Sequence, residues 1–360
     1  MKNKLLIILI ILFFVTACEG SDIIATSVLE RPEEFIDASG ESVRLTKFPE
    51  RIVIEGRLTQ MIVDFYYLFP DQGYKLAGIQ KRLQTVKDFL EIIDPELIDK
   101  LIIEQDATAE QVIPLNPDLV IMKSALKNKI GSTFSAIKVP VVYMDFEDPS
   151  QIKREITNLG AILNQPKRAE ELNSLFLEWE KKVTEVTENI SIDQKPSVLL
   201  LQYTEQGGEM AFDVPPANWL QTSMVEMAGG IPKWKESISS GSWMMVGFEQ
   251  IAAWNPDLIF IINYYADSKE SVEILKTNPA WMELKAVKNN QIYGFASDFL
   301  SWDQPDPRWV LGLNWLGNKI HPDLISFDIN EAPPRFFKDF YGISREVFLE
   351  KIMPVLKGSF

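Results

Sequence analysis

Two stretches of the chain, Leu119–Met122 and Leu258–Ile262, are apolar at every position. A strand of that kind is hidden on both faces, as in a parallel sheet covered by helices. Further runs at 51–55, 75–79, 139–146, 197–202 and 291–295 read as strands, the first two each followed by a polar loop. Between the two sets the period changes. In 167–190, Ala169, Leu172, Leu175, Trp179, Val183, Val186 and Ile190 are spaced by three and four, which makes one helical stripe. Pro166 is acceptable in the first turn of such a helix. At ~1.5 Å per residue it would span roughly 36 Å, enough to bridge two lobes.

The pattern repeats. Thr108 to Ile121 aligns with Gly247 to Phe260, with identities at Glu110/Glu249, Gln111/Gln250, Asn116/Asn255, Pro117/Pro256, Asp118/Asp257 and Leu119/Leu258. Each copy predicts a short helix opened by Glu-Gln, a stop at Asn-Pro, and then the all-apolar strand. Proline cannot continue a helix and biases its predecessor to extended geometry. Two copies around a long helix predict two α/β lobes of similar build.

The amino terminus has a different character. Lys2 and Lys4 precede an uncharged apolar run from Leu5 to Thr16. As helix it would span roughly 18 Å, short of a ~30 Å hydrocarbon core, so it reads as a signal segment. It ends in Val15-Thr16-Ala17-Cys18, which resembles the bacterial lipobox, whose cysteine is acylated and becomes the first mature residue. Cys18 is the only cysteine in 360 residues, so an internal disulfide is excluded. Acylation there would anchor the protein outside the cytoplasmic membrane. Residues 19–35 are polar, acidic and aperiodic, as a tether would be. The expected organisation is therefore 1–17 signal peptide, 18–35 lipid-anchored linker, 36–165 first α/β lobe, 166–191 connecting helix and 192–360 second α/β lobe.

Composition narrows the partners. With 46% hydrophobic and 11% aromatic residues the body is an ordinary globular one. The formal charge is −15, and losing Lys2 and Lys4 with the signal would take it to −17. That argues against nucleic acid or anionic headgroups as partners.

Several segments, taken in order, resemble the periplasmic binding proteins for ferric siderophores, haem and cobalamin. They are Ile36-Asp37-Ala38-Ser39-Gly40, Pro49-Glu50-Arg51-Ile52-Val53, Asn278-Pro279-Ala280-Trp281, Ala286-Val287-Lys288-Asn289-Asn290-Gln291-Ile292-Tyr293 and Trp309-Val310-Leu311-Gly312-Leu313. The resemblance covers most of the mature chain. It implies an α/β fold of two Rossmann-like lobes with mostly parallel sheets, one rigid connecting helix, and a ligand cleft between the lobes. It also implies a monomeric substrate-binding protein of an ABC importer, serving a permease dimer with its ATPase. In that family one surface glutamate per lobe docks on the permease, and Glu110 and Glu249 stand at the matching positions. As helix-start carboxylates the two would equally be favoured by the helix dipole.

In such lobes ligand lies at the carboxyl ends of the strands. The first lobe offers cations there: Arg57, Lys81, Arg82 and Lys123. The second offers Tyr203, Tyr264 and Trp302, the last where family members often place an aromatic over the ligand. Guanidinium suits a carboxylate or oxyanion and rings suit stacking. The expected ligand is an iron chelate, haem or corrinoid. A molybdate- or tungstate-like oxyanion is the alternative, and a surface receptor or adhesin is the reading from another class. His321, the only histidine, precedes Pro322-Asp323 and reads as structural, which leaves no imidazole for a bare zinc site in the cleft. No intrinsic cofactor is expected, although the ligand itself could carry a metal. Asp303 and Asp306 lie beside Pro305 and Pro307 in what reads as a rigid loop. With no nucleophile elbow, phosphate loop or histidine base, no enzymatic activity is expected.

Overall fold

Both all-apolar runs are interior strands of a sheet. The computed structural model describes residues 31–360 apart from 57–58, 81–88, 100, 105–106, 136 and 238–240, so Cys18, Arg57, Lys81 and Arg82 lie outside the described residues. A short antiparallel hairpin, β1 (Phe35–Ile36) with β2 (Ser42–Val43), comes first. The first lobe then contributes β3 (Ile52–Ile54), β4 (Leu76–Gln80), β5 (Leu101–Ile103), β6 (Leu119–Met122) and β7 (Val141–Tyr143). They form one wholly parallel sheet in the order β5-β4-β3-β6-β7.

The second lobe is built on β8 (Ser197–Gln206), β9 (Glu209–Val214), β10 (Ile231–Pro232), β11 (Met244–Met245), β12 (Leu258–Ile262) and β13 (Ile292–Gly294). Its order is β11-β9-β8-β12-β13, with β10 beside the start of β8. β8, β10, β12 and β13 run parallel, while β9 and β11 are added by antiparallel pairing. β8 is longer than its apolar run predicts. Its partner β12 stops opposite Gln202, and the last four residues of β8 pair only with β9. Paired on one side only, Thr204, Glu205 and Gln206 are polar, so hydrophobicity did not reveal them.

The repeated segment has a structural job in each lobe. Asn116 (φ 50°) and Asn255 (φ 38°) end their helices in the left-handed conformation that asparagine tolerates well. The following aspartates hook the neighbouring strand. The Asp118 carboxylate accepts from the N–H groups of Glu50 (3.1 Å) and Arg51 (2.9 Å), and Asp118 N–H donates back to Arg51 O (2.9 Å). In the second lobe Asp257 accepts from Ser197 N–H (2.8 Å) and Oγ–H (2.6 Å), and its own N–H donates to Ser197 O (2.9 Å). Burial pushes both carboxyls up, but these bonds and the partners Lys47 and Lys285 outweigh it and hold both below the usual range. The hooks set the register of β6 against β3 and of β12 against β8.

The helix between the lobes spans Pro166–Thr187, stopping three residues before the apolar stripe does. It buries Ala169, Leu172, Phe176, Trp179 and Val183, with Leu175 and Val186 half-buried. It packs against Pro149–Ile162 of the first lobe and Trp309–Ile320 of the second. Residues 332–341, which the sequence groups with the second lobe, form a helix lying against the connecting helix and the first lobe. Its Phe337 and Tyr341 rings sit 6.2 and 5.1 Å from Phe89. Arg168 clamps it by donating to Phe340 O (2.7 Å), and Arg335 pairs with Glu178 at 2.5 Å. Among the described residues no helix is long and apolar enough to cross a membrane.

Candidate functional site

The carboxyl ends of the parallel strands define the cleft-forming face of each lobe. In the first lobe β3 leads into the buried Glu55 and Gly56. Gly56 has φ +125°, and a Cβ there would stand 2.5 Å from Leu126, so only glycine fits. Gln80, at the end of β4, is buried and accepts from Thr59 N–H (3.2 Å) and Oγ–H (2.6 Å). Lys123 follows β6 and is also buried. Its ammonium sits 2.6 Å from Glu147 and donates to Asp145 O. The Asp145 carboxylate in turn accepts from Ser124 N–H at 2.7 Å. Lys123 therefore ties the loop after β6 to the loop after β7, and its charge is already matched.

The loop after β7 is held from below by Glu155, a fully buried carboxylate accepting from Asp145 N–H and Phe146 N–H at 2.7 Å each. Phe146 adopts φ 54° and stacks on Phe65 with centroids 4.1 Å apart. Burial is the largest influence on Glu155 and pushes its carboxyl up to about 7, against the pull of those two N–H groups.

In the second lobe, Tyr264 follows β12, is half-buried, and donates to Asp303 Oδ2 at 2.7 Å. Asp303 is fully buried and also accepts from Gln221 Nε2 (3.3 Å) and Ser301 Oγ. Burial raises the Asp303 carboxyl, while these three donors restrain it. Burial and then Asp303 push the Tyr264 phenol well up, so it stays a proton donor. Tyr203 is buried and donates to Glu205 (2.8 Å), which with burial pushes it to about 12.

Trp302 has no exposed surface. Its Nε1–H donates to Asp298 (3.0 Å) and its ring packs near Phe327 and Phe360, so it shapes the wall of the site from behind. The aromatic surface comes from other residues. Trp219 stands perpendicular to Trp243 at 5.9 Å, and Trp243 stands steeply against Tyr264 at 6.3 Å. Tyr265 is 79% exposed. Trp219 and Trp243 escaped the sequence reading because Trp219 sits at the cap of the helix Leu220–Met227 and Trp243 adjoins the two-residue β11, too short to show as an apolar run.

A cavity of about 390 Å³ opens beside these rings, lined among others by Tyr264, Tyr265, Asp298, Phe299, Pro354 and Val355. A second, of about 400 Å³, shares Phe299, Pro354 and Val355 and continues to Glu91 and Ile92 of the first lobe. Together they form a trough crossing from one lobe to the other, in the volume range of small-molecule sites. Among the described residues no group of three or more His, Cys, Asp or Glu side chains could hold a metal ion. His321 lies elsewhere, its Nε2 3.2 Å from Gly229 O at the end of helix Trp309–Ile320.

Glu110 and Glu249 are both exposed and both occupy the first turn of their helices. Those helices run back to the starts of β6 and β12, which places the two glutamates toward the strand ends that face the cleft. In the first copy Gln111 caps its helix, accepting from Thr108 N–H at 2.9 Å.

Comparison with known proteins agrees with this architecture. A periplasmic solute binding protein from Veillonella parvula DSM 2008 superposes with a TM-score of 0.71 at 25% identity, over 87% of this chain and 93% of its own. The molybdate-bound periplasmic protein MolA of Haemophilus influenzae also gives 0.71, at 16% identity and over 87% and 98% of the two chains, a likeness of fold alone. The high-affinity heme uptake system protein IsdE of Staphylococcus aureus (strain bovine RF122 / ET3-1) is 26% identical over 193 residues. That match spans 52% of this chain and 63% of the relative, less than two thirds of its length. Residues 103–298, more than half of the chain, match the model of the periplasmic binding protein family, and the chain belongs to that family.

Proposed function

We propose that this protein is the extracytoplasmic, lipid-anchored solute-binding component of an ABC importer. It captures an iron chelate (haem or a ferric siderophore) or a corrinoid in the interlobe trough and presents it to a permease dimer coupled to an ATPase. The observation that carries this reading is the trough itself, walled by Tyr264, Tyr265 and Phe299 and reaching the first lobe at Ile92. A wall that sets the rings of Tyr264, Tyr265 and Phe299 among polar groups such as Asn263, Gln304 and Lys357 suits a bulky ligand with both flat apolar and polar parts. The haem-uptake role of the staphylococcal relative supports the same class. Arg57, Lys81 and Arg82 supply the cationic side in this reading. Glu110 and Glu249 dock on the permease, and Cys18 carries the anchor.

The test is a binding panel on the purified protein: haemin, a ferric hydroxamate, cyanocobalamin and molybdate. Nine tryptophans report occupancy by quenching, Trp243 among them packing 6.3 Å from the trough-lining Tyr264 ring. Binding to the native state alone raises Tm. A response to one of the first three is expected. A response to molybdate alone would move the ligand class to oxyanions, and silence from all four would overturn the transport reading in favour of a surface receptor.

A further inference from the structure

Residues 353–360 carry no motif, yet they wall the trough. The second half of the strap they form, Lys357 and Ser359, is fastened to the end of β13 and the segment after it. Lys357 N–H donates to Ser297 O (2.9 Å) and Ser297 N–H to Lys357 O (3.0 Å). Ser359 N–H donates to Gly294 O (2.9 Å), and Gly294 N–H returns a bond to Ser359 Oγ (2.9 Å). Trp315 Nε1–H adds a bond to Ser359 O (2.9 Å). Gly358 has φ +108°, and a Cβ there would lie 2.7 Å from Phe295 O, so the strap seats this closely only with glycine. The strap's position is thus built in, and it puts Pro354 and Val355 into both halves of the trough.

Its charge is also informative. Lys357 lines the second-lobe half of the trough, is exposed, and makes no ion pair or side-chain hydrogen bond among the described residues. Asp298, which lines the same cavity, is committed to Arg308 (2.8 Å) and to Trp302 Nε1 (3.0 Å). The charge left available to a ligand there is positive, in a chain of formal charge −15, beside Tyr264, Tyr265 and Phe299.

We propose that the C-terminal strap is a wall of the ligand site and that Lys357 is its anion-recognising residue. It pairs with a carboxylate or other acidic group on a ligand whose apolar body lies against Tyr265, Phe299 and Val355. The inference rests on the solute-binding reading above and deepens it, because it places a cationic contact in the second lobe and requires the ligand to be an amphipathic anion.

The experiment uses two probes on wild type, Lys357→Glu, Lys357→Arg and Val355→Trp. Anilinonaphthalene sulfonate tests the strap as a site for aromatic anions, and haemin, with its two carboxylates, tests the chelate reading. Reversing the charge should weaken sulfonate binding about tenfold or more, with arginine retaining it. Val355→Trp should fill the cavity and abolish it. Both side chains are at least partly exposed, so Tm should not move. Sulfonate binding that is absent in wild type, or indifferent to both positions, overturns the strap assignment even if haemin binds. Sulfonate binding through Lys357 without binding of haemin, a ferric hydroxamate or cyanocobalamin upholds the strap and removes the chelate reading.

Discussion

Arg308, at the entry to a second-lobe helix, reaches Asp64 on a first-lobe helix with Nη1 3.2 Å from Oδ2, and neither side chain has any exposed surface. The guanidinium also bonds Asp306 (2.7 Å) and Asp298 (2.8 Å) and lies 4.0 Å from the centre of the Phe89 ring. Three carboxylates around one cation leave an excess of negative charge. Burial, together with Asp64, pushes the Asp306 carboxyl well up against the pull of Arg308. Removing one partner of a buried ion pair strands the others without water. Arg308→Met should therefore cost about 3–5 kcal/mol in urea unfolding. Adding Asp64→Leu and Asp306→Leu should restore part of it, and a single mutant as stable as wild type would show that the cluster bears no such strain.

The same contact bears on movement. The helix Pro166–Thr187 and this buried cluster both span the lobes, with the 332–341 helix packed beside them. Hinge closure would have to bend the helix or pull a buried guanidinium from its carboxylates. Solution scattering with and without bound ligand should therefore show little change in radius of gyration. A closure of tens of degrees would contradict the geometry.

Much of this frame was legible because burial on both faces writes itself as uninterrupted apolar runs. Leu119–Met122 and Leu258–Ile262 located the two sheet interiors, and the Asn-Pro-Asp copies located the hooks. The strap and the interlobe cluster were not legible, since Lys357, Arg308 and Asp64 are ordinary polar letters: Lys357 pairs with Ser297 60 residues away, and Arg308 meets Asp64 across 244. Trp302 shows the reverse error. A large aromatic at a strand-end loop reads as a ligand contact, but Asp298 gives its indole N–H a buried partner and the ring turns inward.

Glu110 and Glu249 are exposed and repeat at equivalent places on the two lobes. A pseudo-symmetric pair of charges suits a two-fold partner, and exposed charges govern orientation more than affinity. Replacing both by lysine should abolish uptake into cells carrying the cognate permease while leaving ligand affinity and Tm unchanged. Each single reversal should give an intermediate defect. Full uptake by the double variant would refute docking through these residues.

Glu155 gives the protein a pH dependence whose sign is fixed by its environment. Its folded carboxyl titrates near 7, against 4.5 for the same group in an unfolded chain. Between those values the folded state binds the extra proton. Stability is therefore full below the unfolded value and falls as pH rises toward 7, by at most about 3 kcal/mol. Glu155→Gln keeps an oxygen to accept from Asp145 and Phe146 N–H but has no proton to lose. At pH 5 the variant should unfold at nearly the same urea concentration as wild type. At pH 8 it should be more stable, by on the order of 2 kcal/mol. Groups common to both proteins cancel in this difference, so parallel stability curves from pH 5 to 8 would mean that Glu155 is ionised in the fold throughout that range.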